Sequence, residues 1–109
     1  MAREVDQSAY VEAHATGYVT VDVRELHEYV LGHVPGALSI PLSRLASRLP
    51  EVPAGGPVYV ICASGNRSKV GADLLHRAGR DAYSVMGGTS AWAGAGRPVV
   101  TCEAAAAAG

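Results

Sequence analysis

The chain has 109 residues, of which 49% are hydrophobic and 17% charged, which is typical of one globular domain with a hydrophobic core. The formal net charge of −1 excludes the basic excess that marks nucleic-acid binding or attachment to an anionic membrane. No apolar run has the length of a membrane span, and the amino end lacks the apolar core of a signal peptide. We therefore expect a cytoplasmic protein without nucleic-acid or membrane partners.

The cysteines and histidines argue against a metal centre. Cys62 and Cys102 are far apart in the sequence, which favours neither a disulfide framework nor a metal cluster. Zinc-ligand spacing is missing from the four histidines, His14, His27, His33 and His76. We expect neither a metal nor a cofactor. Cys102 lies close to an alanine-rich end, a position that favours a bystander over a redox role.

The amino-terminal half alternates strand and helix patterns. Strands are predicted over residues 3–5, 18–23 and 38–40, and helices over 7–15, 25–31 and 43–49. Asp6 and Ser43 are the expected amino-terminal caps of the first and third helices. Gly17 and Gly32 are the expected ends of the first and second.

The carboxyl-terminal half continues this alternation. A strand is predicted over residues 58–61, a helix over 68–78 and a last strand over 81–85, followed by a turn at 86–88. The inward face of the 68–78 helix is expected to carry Val70, Leu74, Leu75 and Ala78. Thr89 is the expected cap of a short final helix that places Trp92 in the core.

Alternating strands and helices predict an α/β domain with a parallel sheet covered on both faces. In such sheets the ligand crevice lies beyond the carboxyl ends of the strands. Three stretches stand at those ends, namely residues 22–24, 62–67 and 86–88. We expect them to converge on one rim.

The turn after the 58–61 strand has the composition of a nucleophile cradle. Gly65 and Asn66 tolerate positive φ, so the turn can point successive main-chain amides at the Cys62 sulfur. Such amides, together with a helix amino end, favour the thiolate. A buried, inert cysteine is the weaker alternative. Arg67 either attracts an anionic donor or ties the loop to a carboxylate, and Ser68 is expected to be a helix cap first and a sulfur contact second.

Four stretches in this order carry a resemblance to a known family. They are Val21-Asp22-Val23-Arg24-Glu25, Gly32-His33-Val34-Pro35-Gly36-Ala37, Cys62-x-x-Gly65-x-Arg67-Ser68 and Gly87-Gly88-x-x-Ala91-Trp92. The chain resembles the single-domain rhodaneses, the thiosulfate sulfurtransferase family, from about residue 5 to residue 100. The resemblance implies a three-layer α/β domain with a central five-stranded parallel sheet and helices on both faces. We expect one domain over residues 1–100 and a low-complexity tail over 101–109.

The resemblance also implies the roles of individual residues. Cys62 carries sulfur as a persulfide and acts with Arg67 as the catalytic pair. The implied substrate-binding cradle consists of Ala63, Ser64, Gly65, Asn66 and Ser68. Four rim residues are expected to support it: Asp22 and Arg24 through hydrogen bonds or an ion pair, Gly87 and Gly88 by allowing close backbone approach.

The implied activity is sulfur transfer from thiosulfate, or from another persulfide donor, to cyanide or a thiol, including a thiol-bearing protein. Ala63 and Ser64 stand where many relatives have a basic or aromatic residue, so a modest affinity for thiosulfate is expected. A persulfide carrier or interaction module that serves a partner enzyme is the main alternative. Related phosphatases and arsenate reductases have a loop one residue longer, whereas Arg67 is the fifth residue after Cys62.

Overall fold

The computed structural model describes residues 3–101; Cys102 and the alanine-rich tail, with the predictions made for them, lie outside the described residues. The strands are β1 (Glu4–Val5), β2 (Val19–Asp22), β3 (Leu38–Ser39), β4 (Pro57–Ile61) and β5 (Asp81–Val85). The α-helices are α1 (Gln7–Thr16), α2 (Leu26–Leu31), α3 (Asn66–Arg77) and α4 (Gly88–Gly94). The strands form one parallel sheet in the order β1-β5-β4-β2-β3, which confirms the predicted fold class.

The central strand β4 divides the core into two clusters because successive side chains of a strand point to opposite faces. Val58 and Val60 pack on the face covered by α3, with Ala72 and Leu75. Tyr59 and Ile61 pack on the other face, in the cluster that contains Tyr10 of α1, Tyr29 of α2 and Trp92 of α4. Helices therefore cover both faces of the sheet. Within residues 3–101, none of them has the length and apolar composition needed to span a bilayer.

Helix α1 begins at the predicted residue and ends one residue later than predicted, and both predicted caps are observed. The Asp6 carboxylate accepts a hydrogen bond from the Ala9 amide at 2.8 Å. At the other end, Gly17 adopts the left-handed conformation at φ 93° and donates its N–H to the last carbonyls of the helix.

The helix predicted over residues 43–49 is wrong. The chain forms two short 3₁₀ turns there, Leu42–Arg44 and Leu49–Glu51. Pro50 disfavours the α conformation at Leu49, so an α-helix is not expected to reach that residue. The fully buried Leu45 holds the segment against the core instead.

Helix α3 begins at Asn66, two residues earlier than predicted. The left-handed conformation at Gly65, with φ 111°, turns the chain directly into the helix. Ser68 therefore lies inside the first turn, and its predicted role as the cap is wrong. Asn66 is likewise helical, and in the described part of the chain positive φ occurs only at glycines.

The predicted inward face of α3 is also partly wrong. Val70 is 57% exposed, whereas Ser68, Gly71, Ala72 and Leu75 are buried. Small residues are needed because the helix lies close to the sheet. A Cβ atom on Gly71 would stand only 3.1 Å from Cγ1 of Val60.

Thr89 does not cap the last helix. Helix α4 begins at Gly88, and Gly87 precedes it in the left-handed conformation at φ 77°. The buried Thr89 hydroxyl has no hydrogen-bond partner among the described residues. Trp92 is 3% exposed, as predicted for a core residue.

We expect Leu75→Ala to lower the free energy of unfolding by about 2–5 kcal/mol, because it leaves a cavity beneath α3. Val70→Ala removes an exposed side chain from the same helix and should change stability by less than about 0.5 kcal/mol. Urea titration followed by the fluorescence of Trp92, the single tryptophan, measures both. Equal losses in the two variants would contradict the observed orientation of α3.

Candidate active site

The parallel register brings the three predicted rim stretches together. Asp22 is paired with Ile61, the residue before Cys62, and the Val23 amide donates to the Ile61 carbonyl at 3.0 Å. On the other side of β4, a Cβ on Gly65 would lie 3.4 Å from the Gly87 amide nitrogen. The cysteine loop therefore lies between residues 22–24 and 86–88, at the carboxyl ends of three neighbouring strands.

The Cys62 sulfur is enclosed by hydrogen-bonding groups. The residue is 1% exposed, and the Gly65 amide donates to Sγ at 3.1 Å. Ser68 Oγ lies 3.5 Å from Sγ and 2.7 Å from Ser84 Oγ. Ser84 is fully buried near the carboxyl end of β5. It was not predicted as a site residue, and its place near the carboxyl end of a strand was the only signal in the sequence.

These donors decide the protonation of the thiol. Burial raises the pKa of Cys62, but the Ser68 hydroxyl and the main-chain amides of Ser68, Gly65 and Ser64 outweigh burial. The pKa is consequently held below the ordinary value for cysteine. These groups therefore favour the thiolate form of Cys62.

Helix α4 is docked on the cysteine loop through its first amides. The Thr89 N–H donates to the Cys62 carbonyl at 2.8 Å, and the Ser90 N–H donates to the Ala63 carbonyl at 3.0 Å. At Gly88, with φ 57°, a Cβ atom would overlap the Cys62 carbonyl and stand 2.6 Å from the Ala63 carbonyl oxygen. Only glycine permits this approach, and Ala63 contributes its carbonyl to the contact.

Arg67 forms an ion pair with Glu28 across the loop. Its Nη1 and Nη2 donate to the two carboxylate oxygens at 2.6 and 2.9 Å, which joins α3 to α2. This is the carboxylate contact that the sequence left as one of two alternatives. The Arg67 hydrogen bond is the main cause that lowers the pKa of Glu28 to about 2, although burial opposes it. Glu28 was not predicted as a site residue. Its place in the first turn of the helix that follows residues 22–24 was the signal available in the sequence.

Asp22 and Arg24 form the second ion pair of the rim. Both are buried, and the Arg24 guanidinium donates to the two Asp22 carboxylate oxygens at 3.0 and 2.8 Å. The same guanidinium donates to the Gly32 carbonyl at 2.9 Å. The pair therefore links the carboxyl end of β2 to Gly32, the carboxyl-terminal cap of α2. Across residues 3–101, no three or more histidine, cysteine or acidic side chains are grouped to hold a metal ion.

The sequence model of the rhodanese-like domain matches residues 6–95. The chain belongs to the rhodanese-like domain family. It is 36% identical over 75 residues to the putative sulfur carrier protein YrkF of Bacillus subtilis, and 40% identical over 75 residues to the uncharacterized protein YqhL of the same organism. Each match covers 68% of this chain, and they cover 40% of YrkF and 60% of YqhL.

A solved structure extends the similarity to nearly the whole domain. The rhodanese-related protein of Thermoplasma volcanium superposes with a TM-score of 0.81 at 32% identity, covering 90% of this chain and 97% of that one. The resemblance read from the four sequence stretches is thus confirmed.

We expect Ser68→Ala to raise the pKa of the Cys62 thiol, because the cradle loses a donor while the sulfur stays buried. The pH dependence of alkylation by iodoacetamide, measured in a Cys102→Ser background, reports this pKa. The midpoint should move to higher pH. Ser90→Ala, which changes an exposed hydroxyl and keeps the amide bonded to Ala63, is the matched control. A midpoint shared by all three proteins would remove the Ser68 hydroxyl from the cradle.

Acid should weaken the link between α2 and α3. The Glu28 pKa is lowered in the folded protein, so the pair stabilises the fold above the ordinary carboxyl range and loses its effect as pH falls towards about 2. The difference in unfolding free energy between wild type and Glu28→Gln should be constant from neutral pH to about pH 5 and vanish in stronger acid. Chemical denaturation across this range measures it. If the difference in unfolding free energy grew as the pH fell, the stabilising role of the Arg67–Glu28 pair would be contradicted.

Proposed function

We propose that the protein is a sulfurtransferase that carries sulfur as a persulfide on Cys62. The observation that carries this proposal is the buried thiol of lowered pKa, surrounded by main-chain amides and the Ser68 hydroxyl. A nucleophile in such surroundings forms a covalent intermediate and divides group transfer into two steps. We also propose that the reaction takes place in the cytoplasm, where thiol acceptors stay reduced.

In the first step the Cys62 thiolate attacks the outer sulfur of the donor. With thiosulfate, the bond between the two sulfur atoms breaks, and its electron pair leaves with sulfite. In the second step a thiolate or cyanide attacks the terminal sulfur of the persulfide, and Cys62 leaves again as a thiolate. No external oxidant or reductant is consumed. Thiosulfate, or another compound with a transferable outer sulfur, is the proposed donor.

The cradle supports both steps because each leaves negative charge on sulfur inside the loop. The amides of Ser64, Gly65 and Ser68 are oriented before any reaction, so they stabilise this charge without reorganisation. The lowered pKa of Cys62 favours the thiolate, and the proposed mechanism therefore uses no general base.

A carrier function is the second candidate, and it is favoured by the similarity to the putative sulfur carrier protein YrkF. An enzyme and a carrier would both form the Cys62 persulfide, but they would differ in whether they turn over small molecules. An enzyme releases product repeatedly with small-molecule donor and acceptor, whereas a carrier needs a partner protein to load or unload it. The short loop, with Arg67 five residues after Cys62, supports either of these over a phosphatase or arsenate reductase.

Intact mass measured before and after incubation with thiosulfate tests the covalent step. We expect wild type to gain one sulfur atom, about 32 Da, and to lose it to cyanide as thiocyanate. Cys102→Ser, which keeps the cradle, should gain the same mass, and Cys62→Ser should gain none. The same assay with an organic persulfide extends the test to a second donor. A wild type that accepts sulfur from neither donor, or a Cys62→Ser variant that still does, would contradict the proposed function.

A further inference from the structure

Both arginines at the rim of the cysteine loop are already neutralised. Arg67 is held by both carboxylate oxygens of Glu28, and Arg24 by both carboxylate oxygens of Asp22. The groups that the structure places around the Cys62 sulfur are instead uncharged amides and hydroxyls. The sulfur is therefore surrounded by uncharged dipoles, and both guanidinium groups of the rim are paired with carboxylates.

Arg67 lies in the first turn of α3, next to Ser68, whose hydroxyl oxygen is 3.5 Å from the Cys62 sulfur. Its pKa is raised first by the hydrogen bond to Glu28 and, after the opposing effect of burial, by the charges of Glu28, Cys62 and Asp22. The Arg67 side chain is 37% exposed, so it is in contact with solvent. The Glu28 carboxylate compensates the positive charge of Arg67 and so reduces the attraction of Arg67 for an incoming anion.

The two donor types differ in the charge that the site must accommodate. Thiosulfate carries two negative charges, one of them spread over a sulfonate group that needs its own donors or a cation. The terminal sulfur of a persulfide whose organic part is uncharged brings at most one negative charge. The amides and the hydroxyl around the Cys62 sulfur suit a persulfide with an uncharged organic part better than they suit thiosulfate.

We propose that Glu28 determines the donor class by holding Arg67, so that the site takes sulfur from persulfides of low charge in preference to thiosulfate. The inference rests on the proposed sulfurtransferase function. Glu28 acts through Arg67 and is a positioning residue. In the corresponding step the Cys62 thiolate attacks the outer sulfur of R–S–SH, the bond between the two sulfur atoms breaks, and its electron pair leaves with R–S⁻. Cys62 then carries S–SH, which loses its proton to solvent as the anionic persulfide.

The test compares thiosulfate with the persulfide of 2-mercaptoethanol in wild type, Glu28→Gln and Glu51→Gln. Glutamine at position 28 has the size of glutamate but no charge, and it offers Arg67 one acceptor oxygen in place of two, so the positive charge of Arg67 is no longer compensated. We expect the KM for thiosulfate to fall about two- to fivefold in Glu28→Gln, the scale of one partly exposed charge interaction, with kcat nearly unchanged. The KM for this persulfide, which carries at most one negative charge, should change less than the KM for thiosulfate. The effect on thiosulfate should shrink as ionic strength rises.

Glu51→Gln is the matched control. It makes the same change in net charge and breaks a similar two-oxygen pair, with Arg48, on an exposed 3₁₀ turn. Its kinetics with both donors should equal those of wild type. A fall in thiosulfate KM that is as large in Glu51→Gln as in Glu28→Gln would overturn the proposal, because net charge alone would then explain it.

Two further variants keep the proposal testable if Glu28→Gln folds poorly. Arg67→Gln leaves the Glu28 carboxylate uncompensated and should raise the KM for thiosulfate more than the KM for the persulfide. Glu28→Gln combined with Arg67→Gln restores a neutral contact and should return the thiosulfate KM towards the wild-type value. Unchanged thiosulfate KM values in all folded variants would overturn the role of Glu28. Failure of the proposed function has a different signature, since wild type would then take sulfur from neither donor.

Discussion

The structure depends on one constraint: a sulfur atom that is almost fully excluded from water must be able to carry negative charge. Water cannot stabilise an ion on Cys62, which is 1% exposed, so the protein's own dipoles must do so. The short turn after β4, the left-handed Gly65 and the early start of α3 together place the Gly65 amide and the Ser68 hydroxyl at the sulfur. Ser84 in turn holds the Ser68 hydroxyl from the neighbouring strand, so the cradle is built by two strands and one helix.

The same constraint explains why α4 sits where it does. The curled loop turns the carbonyls of Cys62 and Ala63 away from the ladder of β4, and buried carbonyls need donors. The first amides of α4 satisfy both, which requires a residue without a Cβ at Gly88. Fold and site are therefore coupled at this contact. A Cβ atom at position 88 would displace the helix that carries Trp92 as well as the loop that carries Cys62.

Much of this architecture was predictable because it is encoded by short patterns with a direct physical meaning. The alternating strand and helix patterns predicted the parallel sheet, and Asp6 and Gly17 predicted the two caps of α1. The errors arose where a tertiary contact decides a local structure. Ser68 has the chemistry of a cap, but Gly65 starts α3 earlier and turns the hydroxyl to the sulfur. The bond between Arg67 and Glu28 joins residues 39 positions apart, and a single sequence does not reveal such pairs.

The charge balance of the rim also bears on reactivity. Lowering the pKa of a thiol increases the fraction present as thiolate but reduces the nucleophilicity of each thiolate, so the most effective thiol has a pKa near the ambient pH. Dipoles lower the pKa of Cys62 against the opposing effect of burial. A free guanidinium beside the sulfur would lower it further and hold the anion in an ion pair. Arg67 is instead paired with Glu28, and the groups that lower the pKa of Cys62 are the Ser68 hydroxyl and the main-chain amides of Ser68, Gly65 and Ser64.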